Sequence, residues 1–185
     1  MEKKSRDWLK REENYFMIMT LDLEENGMKP MEIRGIKIGE GIPKICVPIV
    51  AINDAEVLEQ AKAITASEAD LVEFRVDWYH DCFVVERVKE LLVKLREMLP
   101  QYPIVFTFRT KTEGGEREID FETYANLLNA VADTKLIDVI DIEVFKHGDV
   151  KTLIAQIQGK GMTVIGSNHD FIETPKKEEL VKRLG

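Results

Sequence analysis

Cysteine is nearly missing from the 185-residue chain: Cys46 lies in an apolar run and Cys82 beside an expected loop, with no metal-ligand spacing between them. That usage points to a reducing compartment. Long hydrophobic runs are also missing, none approaching the ~18 residues of a membrane helix. The N-terminal Met-Glu-Lys-Lys-Ser-Arg-Asp carries no apolar segment of signal-peptide length. A cytoplasmic protein without a membrane partner is the expectation. Basic residues are in deficit, 26 Lys and Arg against 34 Asp and Glu, for a formal net charge of −8. The balance argues against nucleic acid or anionic lipid, because phosphate neutralisation needs clustered cations, but leaves room for a small anion held by one or two arginines. Glycine-rich phosphate cradles are absent: neither GxxxxGK[ST] nor GxGxxG occurs, and Gly39-Glu40-Gly41 precedes a strand instead of following one. What is present is ordinary globular material, 44% apolar and 32% charged, in a chain long enough to bury about two thirds of its unfolded surface.

Residues 1–30 alternate charge runs with short apolar patches and read as a flexible N-terminal extension; 31–185 read as one domain. Met31 to Gly41 alternates with period two, as one or two short strands. From Pro43 onward, β-branched runs alternate with stretches whose apolar residues fall three or four apart, the pattern of βα units on a parallel sheet. The expected strands are 44–50, 71–78, 104–110, 137–145 and 162–167. Val84, Val88, Leu91, Leu95 and Met98 form one helical stripe, and Tyr124, Leu127, Leu128 and Val131 another. Pro100 and Pro103 stop the former helix, and Thr174-Pro175 opens the last one.

Five βα units at about 29 residues each match the pace of a (β/α)₈ barrel of ~250 residues, three units short. A doubly wound five-stranded sheet would be complete at this length, yet its strands, covered on both sides, would be apolar throughout. Here Glu73, Arg75 and Asp77 alternate along one strand, Thr107 and Arg109 along the next, Asp141 and Glu143 along the fourth, and Ser167 and His169 at the end of the fifth. Ionisable groups on one face of four successive strands need a common polar interior, which the C-terminal mouth of a barrel supplies.

Unpaired, such charges would each cost several kcal/mol, so they pair or bind something. Glu73, Arg75 and Asp77 form either a mutual salt-bridge ladder or, for Glu73 and Arg75, contacts to a polyhydroxylated, carboxylated ligand with Asp77 behind them. Arg109 ends a strand just before Glu113-Gly114-Gly115, where glycines can turn the chain and bring Glu113 over the strand ends. Asp141 and Glu143 can hold a hard cation, orient a base or form a structural network. Of three histidines, His80 and His147 sit in polar loop surroundings and read as solvated. His169, at the end of a β-branched strand, is the candidate for proton transfer.

The segments Glu73-Phe74-Arg75-Val76-Asp77, Phe106-Thr107-Phe108-Arg109-Thr110 with Glu113-Gly114-Gly115, Asp141-Ile142-Glu143-Val144-Phe145 and Ser167-Asn168-His169-Asp170-Phe171 with Thr174-Pro175 resemble type I 3-dehydroquinate dehydratase in order and spacing, over residues 31–185. The resemblance implies a (β/α)₈ barrel closed below by an N-terminal hairpin, a homodimer, and a hydro-lyase of the shikimate pathway, in aromatic amino acid biosynthesis. It converts 3-dehydroquinate to 3-dehydroshikimate through a lysine Schiff base, with no metal or organic cofactor. By similarity His169 is the general acid/base and Glu113 its orienting carboxylate; Glu73, Arg75 and Arg109 bind the ring; Asp141 lies near the imine, and Asp77, Asp141 and Glu143 support the shell.

Two departures accompany it. Pro48 stands where many relatives carry a small hydroxyl residue. The family's Schiff-base lysine lies on the sixth strand, past residue 185, and Lys111, Lys176, Lys177 and Lys182 are poor substitutes. The expectation is thus a C-terminally truncated, five-unit chain that is inactive alone. The alternatives are a metal-dependent barrel lyase or aldolase using Asp141, Glu143 and His169, and a non-catalytic chain that binds a cyclitol acid or completes a barrel with another chain.

Overall fold

The computed structural model describes residues 30–145 and 148–184. The expected extension, apart from Pro30, and the expected surface residue His147 lie outside the described residues. Two short antiparallel strands, β1 (Met31–Ile33) and β2 (Ile36–Ile38), come first, joined by Arg34-Gly35 at positive φ. Then β3 (Cys46–Ile49), α1 (Asp54–Ile64), β4 (Leu71–Arg75), α2 (Val85–Met98), β5 (Ile104–Thr107), α3 (Phe121–Thr134), β6 (Val139–Glu143), α4 (Val150–Gly159), β7 (Thr163–Ser167) and α5 (Lys177–Leu184) alternate. All five strands after the hairpin are parallel and lie in chain order, β3-β4-β5-β6-β7. Sequential neighbours joined by helices are the wall of a (β/α) barrel. Among the described residues β3 and β7 pair on one side only, so the wall is not closed.

Alternation along the strands sorts the chain into two faces. Val72, Phe74, Ile104, Phe106, Ile140 and Ile142 belong to the main core, where the helices contribute Val57, Leu91, Leu95, Tyr124, Leu128 and Ile157. Each fully buried side chain of this size contributes roughly 1.5–3 kcal/mol. Helix starts share one device: Asn53, Asp120 and Asp149 accept from the amides of Glu56, Thr123 and Thr152, satisfying a donor the first turn leaves unpaired. The opposite face carries Glu73, Thr107, Asp141 and Glu143 toward the C-terminal ends and Val105 and Val139 below them. Ile33 and Ile38 of the hairpin pack on Val105 and Val139, closing that end.

Every expected strand is shorter in the structure, and three shifted boundaries bear on the site or the last helix. The expected strand 71–78 stops at Arg75, because Val76–Trp78 form a 3-10 turn, so Asp77 is not a strand residue. The strand from Ile104 stops at Thr107, before Arg109. The last helix opens at Lys177, two residues after Pro175.

Candidate active site

The C-terminal ends of β4, β5, β6 and β7 converge on a cluster of buried charge. Arg109 lies just past the end of β5 with its side chain 7% exposed. Its Nη2 donates to Asp141 Oδ1 at 2.8 Å, and its Nη1 to Glu143 Oε1 at 3.0 Å and Ser167 Oγ at 2.9 Å. Burial works against the guanidinium charge, but Asp141, Glu143 and Glu113 outweigh it and hold the pKa above its ordinary value. Glu143, wholly buried, also accepts from the Thr110 amide at 2.9 Å and the Thr110 hydroxyl at 2.7 Å. Tyr124, from the outer layer, takes the Glu143 amide at 3.3 Å, and burial pushes its phenol well up. Asp141 accepts from Ser167 Oγ at 2.8 Å. Burial raises its pKa to about 6, with Glu73 adding to the rise, while Arg109, Ser167 and His169 counter it.

Arg75 and Asp77 form a two-pronged pair, at 2.8 and 2.9 Å. Asp77 also accepts from the amides of Arg109 at 3.3 Å and Glu116 at 3.1 Å, clipping the loop after β5 onto the end of β4. The salt-bridge ladder therefore exists between Arg75 and Asp77. Glu73, 8% exposed, makes no hydrogen bond or ion pair among the described residues. Its charge, after burial, helps push the Cys46 thiol up to about 12.

His169 follows the end of β7. Glu113 Oε2 accepts from its amide at 2.9 Å and lies 3.1 Å from its Nδ1. The turn Lys111–Glu113 that delivers this carboxylate ends at Gly114, φ +84. Gly115 serves differently: a Cβ there would lie 1.9 Å from the Arg109 carbonyl oxygen, so it permits a close backbone approach and does not use positive φ. Glu113 Oε1 and Thr107 Oγ1 are buried with no hydrogen-bond partner among the described residues.

The structure thus gathers Arg109, Glu113, Asp141, Glu143 and His169 into one bonded network and places Arg75 and Asp77 against it through the Arg109 amide. Ser167, Thr110 and Tyr124 join as partners to which the sequence assigns no part. Thr110 follows Arg109 directly and Ser167 shares a strand face with His169, so spacing held a signal for both; for the Tyr124 hydroxyl it held none. His80 is solvated as expected, its side chain 82% exposed. Among the described residues no group of three or more His, Cys, Asp and Glu is disposed to hold a metal ion, and no helix is long and apolar enough to cross a membrane.

Comparison with known proteins agrees with this geometry. The sequence model of the type I 3-dehydroquinase family matches residues 45–185. The 3-dehydroquinate dehydratase of Clostridium botulinum is 48% identical over 155 residues, covering 83% of this chain and 61% of that protein. That of Bacillus licheniformis is 46% identical over 157 residues, covering 84% and 62%. Among solved structures, type I 3-dehydroquinate dehydratase from Clostridium difficile, determined with covalently modified comenic acid, superposes with a TM-score of 0.81 at 40% identity, covering 84% of this chain and 62% of that one. The Enterococcus faecalis enzyme gives 0.79 at 38%, covering 84% and 65%. The chain spans about three fifths of the curated relatives it matches. With the wall of parallel strands, the charged mouth and these matches in agreement, the chain belongs to the type I 3-dehydroquinase family.

Proposed function

We propose that this chain carries the proton-transfer and ring-binding part of a 3-dehydroquinate dehydratase site, for elimination of water to give 3-dehydroshikimate in the shikimate pathway. The observation that carries the reading is the Glu113–His169 pair, in which a fully buried carboxylate meets both the amide and Nδ1 of a histidine at a strand end. An ionised carboxylate there keeps the proton on Nδ1, makes Nε2 the basic nitrogen, and stabilises the imidazolium formed when Nε2 takes a proton. His169 then acts as base toward the carbon beside the substrate carbonyl and as acid toward the departing hydroxyl.

Glu73 accepts from ring hydroxyls, and Arg75 and Arg109 donate to the ring. Asp77, Asp141 and Glu143 hold the two guanidiniums in place, with Asp141 facing the imine. Five carboxylates against two guanidiniums make the mouth favourable to a cation, which suits an iminium and an imidazolium and disfavours the substrate carboxylate. The imine-forming amine and the carboxylate's cationic partner therefore come from outside this cluster. Lys111 is 63% exposed and ion-paired with Glu118 at 3.9 Å. Lys176, Lys177 and Lys182 are exposed at and beside α5. Without an electron sink, proton abstraction beside a ketone is slow, so the 185 residues alone do not turn over at an enzyme's rate. The metal-lyase alternative is disfavoured because Asp141 Oδ1 and Glu143 Oε1 both already accept from Arg109. The reading includes a cytoplasmic, homodimeric enzyme.

The test is 3-dehydroshikimate formation by this chain, alone and mixed with the C-terminal portion of the Clostridium botulinum relative that it does not cover. Dehydration only in the mixture is expected. Full activity of the chain alone would refute the need for an external amine, and none in a folded complex would refute the reading.

A further inference from the structure

Among the described residues the strand wall ends in two free edges, on β3 and on β7, and the two are not alike. In a parallel ladder the N–H and C=O groups of alternate residues turn to the same neighbour. The Ile45 carbonyl accepts from the Leu71 amide at 3.1 Å, so Val47 and Ile49 face β4 in turn, and Cys46, Pro48 and Val50 face the free side. Past Cys46 that side offers no free donor. Pro48 has no N–H. The Val50 N–H donates to Gln60 Oε1 at 2.9 Å, and the Val50 carbonyl accepts from Gln60 Nε2 at 2.8 Å, so a side-chain amide bonds Val50 as a neighbouring strand would. One turn earlier on the same face of α1, Glu56 Oε2 takes the Ile52 amide at 3.2 Å.

The β7 edge carries no such cover. The Ser167 carbonyl accepts from the Val144 amide at 3.0 Å, which turns Thr163, Ile165 and Ser167 to β6 and Val164 and Gly166 to the free side. Neither of those two has a hydrogen bond there among the described residues, and β7 contains no proline. A free strand edge is a template for another strand. The two edges belong to one parallel sheet, so the β7 edge of one copy laid on the β3 edge of the next would continue the wall in a contact with no reason to close.

We propose that Pro48 and Gln60 guard the β3 edge, so that the β7 edge of a second copy of this chain does not add to it beyond Cys46. The reason is the set of bonds on offer. A strand laid along β3 finds no donor at Pro48, and at Val50 it must first break two hydrogen bonds to Gln60. What remains to it is Cys46 and the carbonyl of Pro48, too little to offset the ordering of a strand. The guard is local: α1 follows β3 directly, and Gln60 lies ten residues from the groups it covers. It needs only the strand wall and is independent of the catalytic reading.

The test uses the full chain in a concentration series, with amide hydrogen exchange read by NMR and size by sedimentation. Exchange at Val164 and Gly166 separates strand addition from association through apolar surface, because a bonded strand protects both. In the unmodified chain those two amides are expected to exchange equally fast at every concentration. Gln60→Met keeps the side chain's length but not its bonds, and is expected to speed Val50 exchange about fivefold or more, the scale of one hydrogen bond. Gln60→Glu keeps an acceptor for the Val50 amide and is expected to leave its exchange slow. Pro48→Val combined with Gln60→Met is expected to form species that grow with concentration, with Val164 and Gly166 slowing about fivefold or more as they do; either change alone is expected to do the same to a lesser extent. Protection of Val164 and Gly166 that rises with concentration in the unmodified chain overturns the guard, as does unchanged Val50 exchange in Gln60→Met. So does a double variant in which both amides keep exchanging freely at every concentration, whatever its size by sedimentation; should the double change prevent folding, the single changes supply the same reading.

Discussion

The two ends of the strand wall treat charge in opposite ways. At the N-terminal ends a single carboxylate, Asp138, meets two guanidiniums, Arg34 at 2.7 Å and Arg96 at 2.6 Å, and also takes the Ile104 amide at 2.8 Å. Among the described residues no buried side-chain nitrogen or oxygen at that end lacks a partner, and Ile33, Val105 and Val139 cluster on that side. At the C-terminal ends five carboxylates share two guanidiniums, Glu73 stands unbonded among the described residues, and buried oxygens of Glu113 and Thr107 lack partners. One end is arranged as a fastening; the other retains acid that folding alone does not require. An acid excess held against burial is what a site for a cationic intermediate needs.

Breaking the mouth should have the largest effect on stability. Arg109→Met leaves Asp141 and Glu143 buried without their cation and should cost about 3–5 kcal/mol in urea unfolding; a loss below about 1 kcal/mol would show that water reaches the carboxylates and that the mouth is not a low-dielectric cluster. At the other end Asp138→Ala removes three bonds to one carboxylate and should cost about 2–3 kcal/mol, without altering ligand contacts at the mouth.

A pH experiment sharpens the same contrast. The folded-state pKa of Asp141, about 6, lies above the ordinary carboxyl value of 3.8 because burial disfavours its charge. Its contribution to stability is therefore fully present below pH 3.8 and is lost as pH rises through 6. Asp141→Asn should remove that part of the slope, about 3 kcal/mol across the window; an unaltered slope would mean that Asp141 titrates normally. The smallest effect belongs to the surface: Lys94→Ala breaks the 2.8 Å pair with Asp54, which is partly solvated, and should change stability by about 0.5 kcal/mol or less.

Much of the wall was legible in the sequence because β-branched runs and helical stripes repeat with little interruption. The polar face was legible because period two put Glu73 and Arg75 on one side and Asp141 and Glu143 on one side. Where the backbone leaves the strand, periodicity stops informing. Asp77 reads as a third strand residue but lies on a 3-10 turn, clipping a loop by two amide bonds. Arg109 reads as a ligand contact; the structure shows it first as the cation among Asp141, Glu143 and Glu113, a four-group arrangement that no local pattern encodes. The pair of glycines reads as one sharp turn at positive φ, yet only Gly114 uses positive φ, and Gly115 serves a close backbone approach.

The most direct measurement is made on the chain mixed with the C-terminal portion of the Clostridium botulinum relative that it does not cover, comparing His169→Ala with the unmodified protein for both dehydration and borohydride-trapped imine. The account predicts that dehydration falls by about 10²–10⁴ while trapped adduct still accumulates. Dehydration at the unmodified rate in His169→Ala would contradict it.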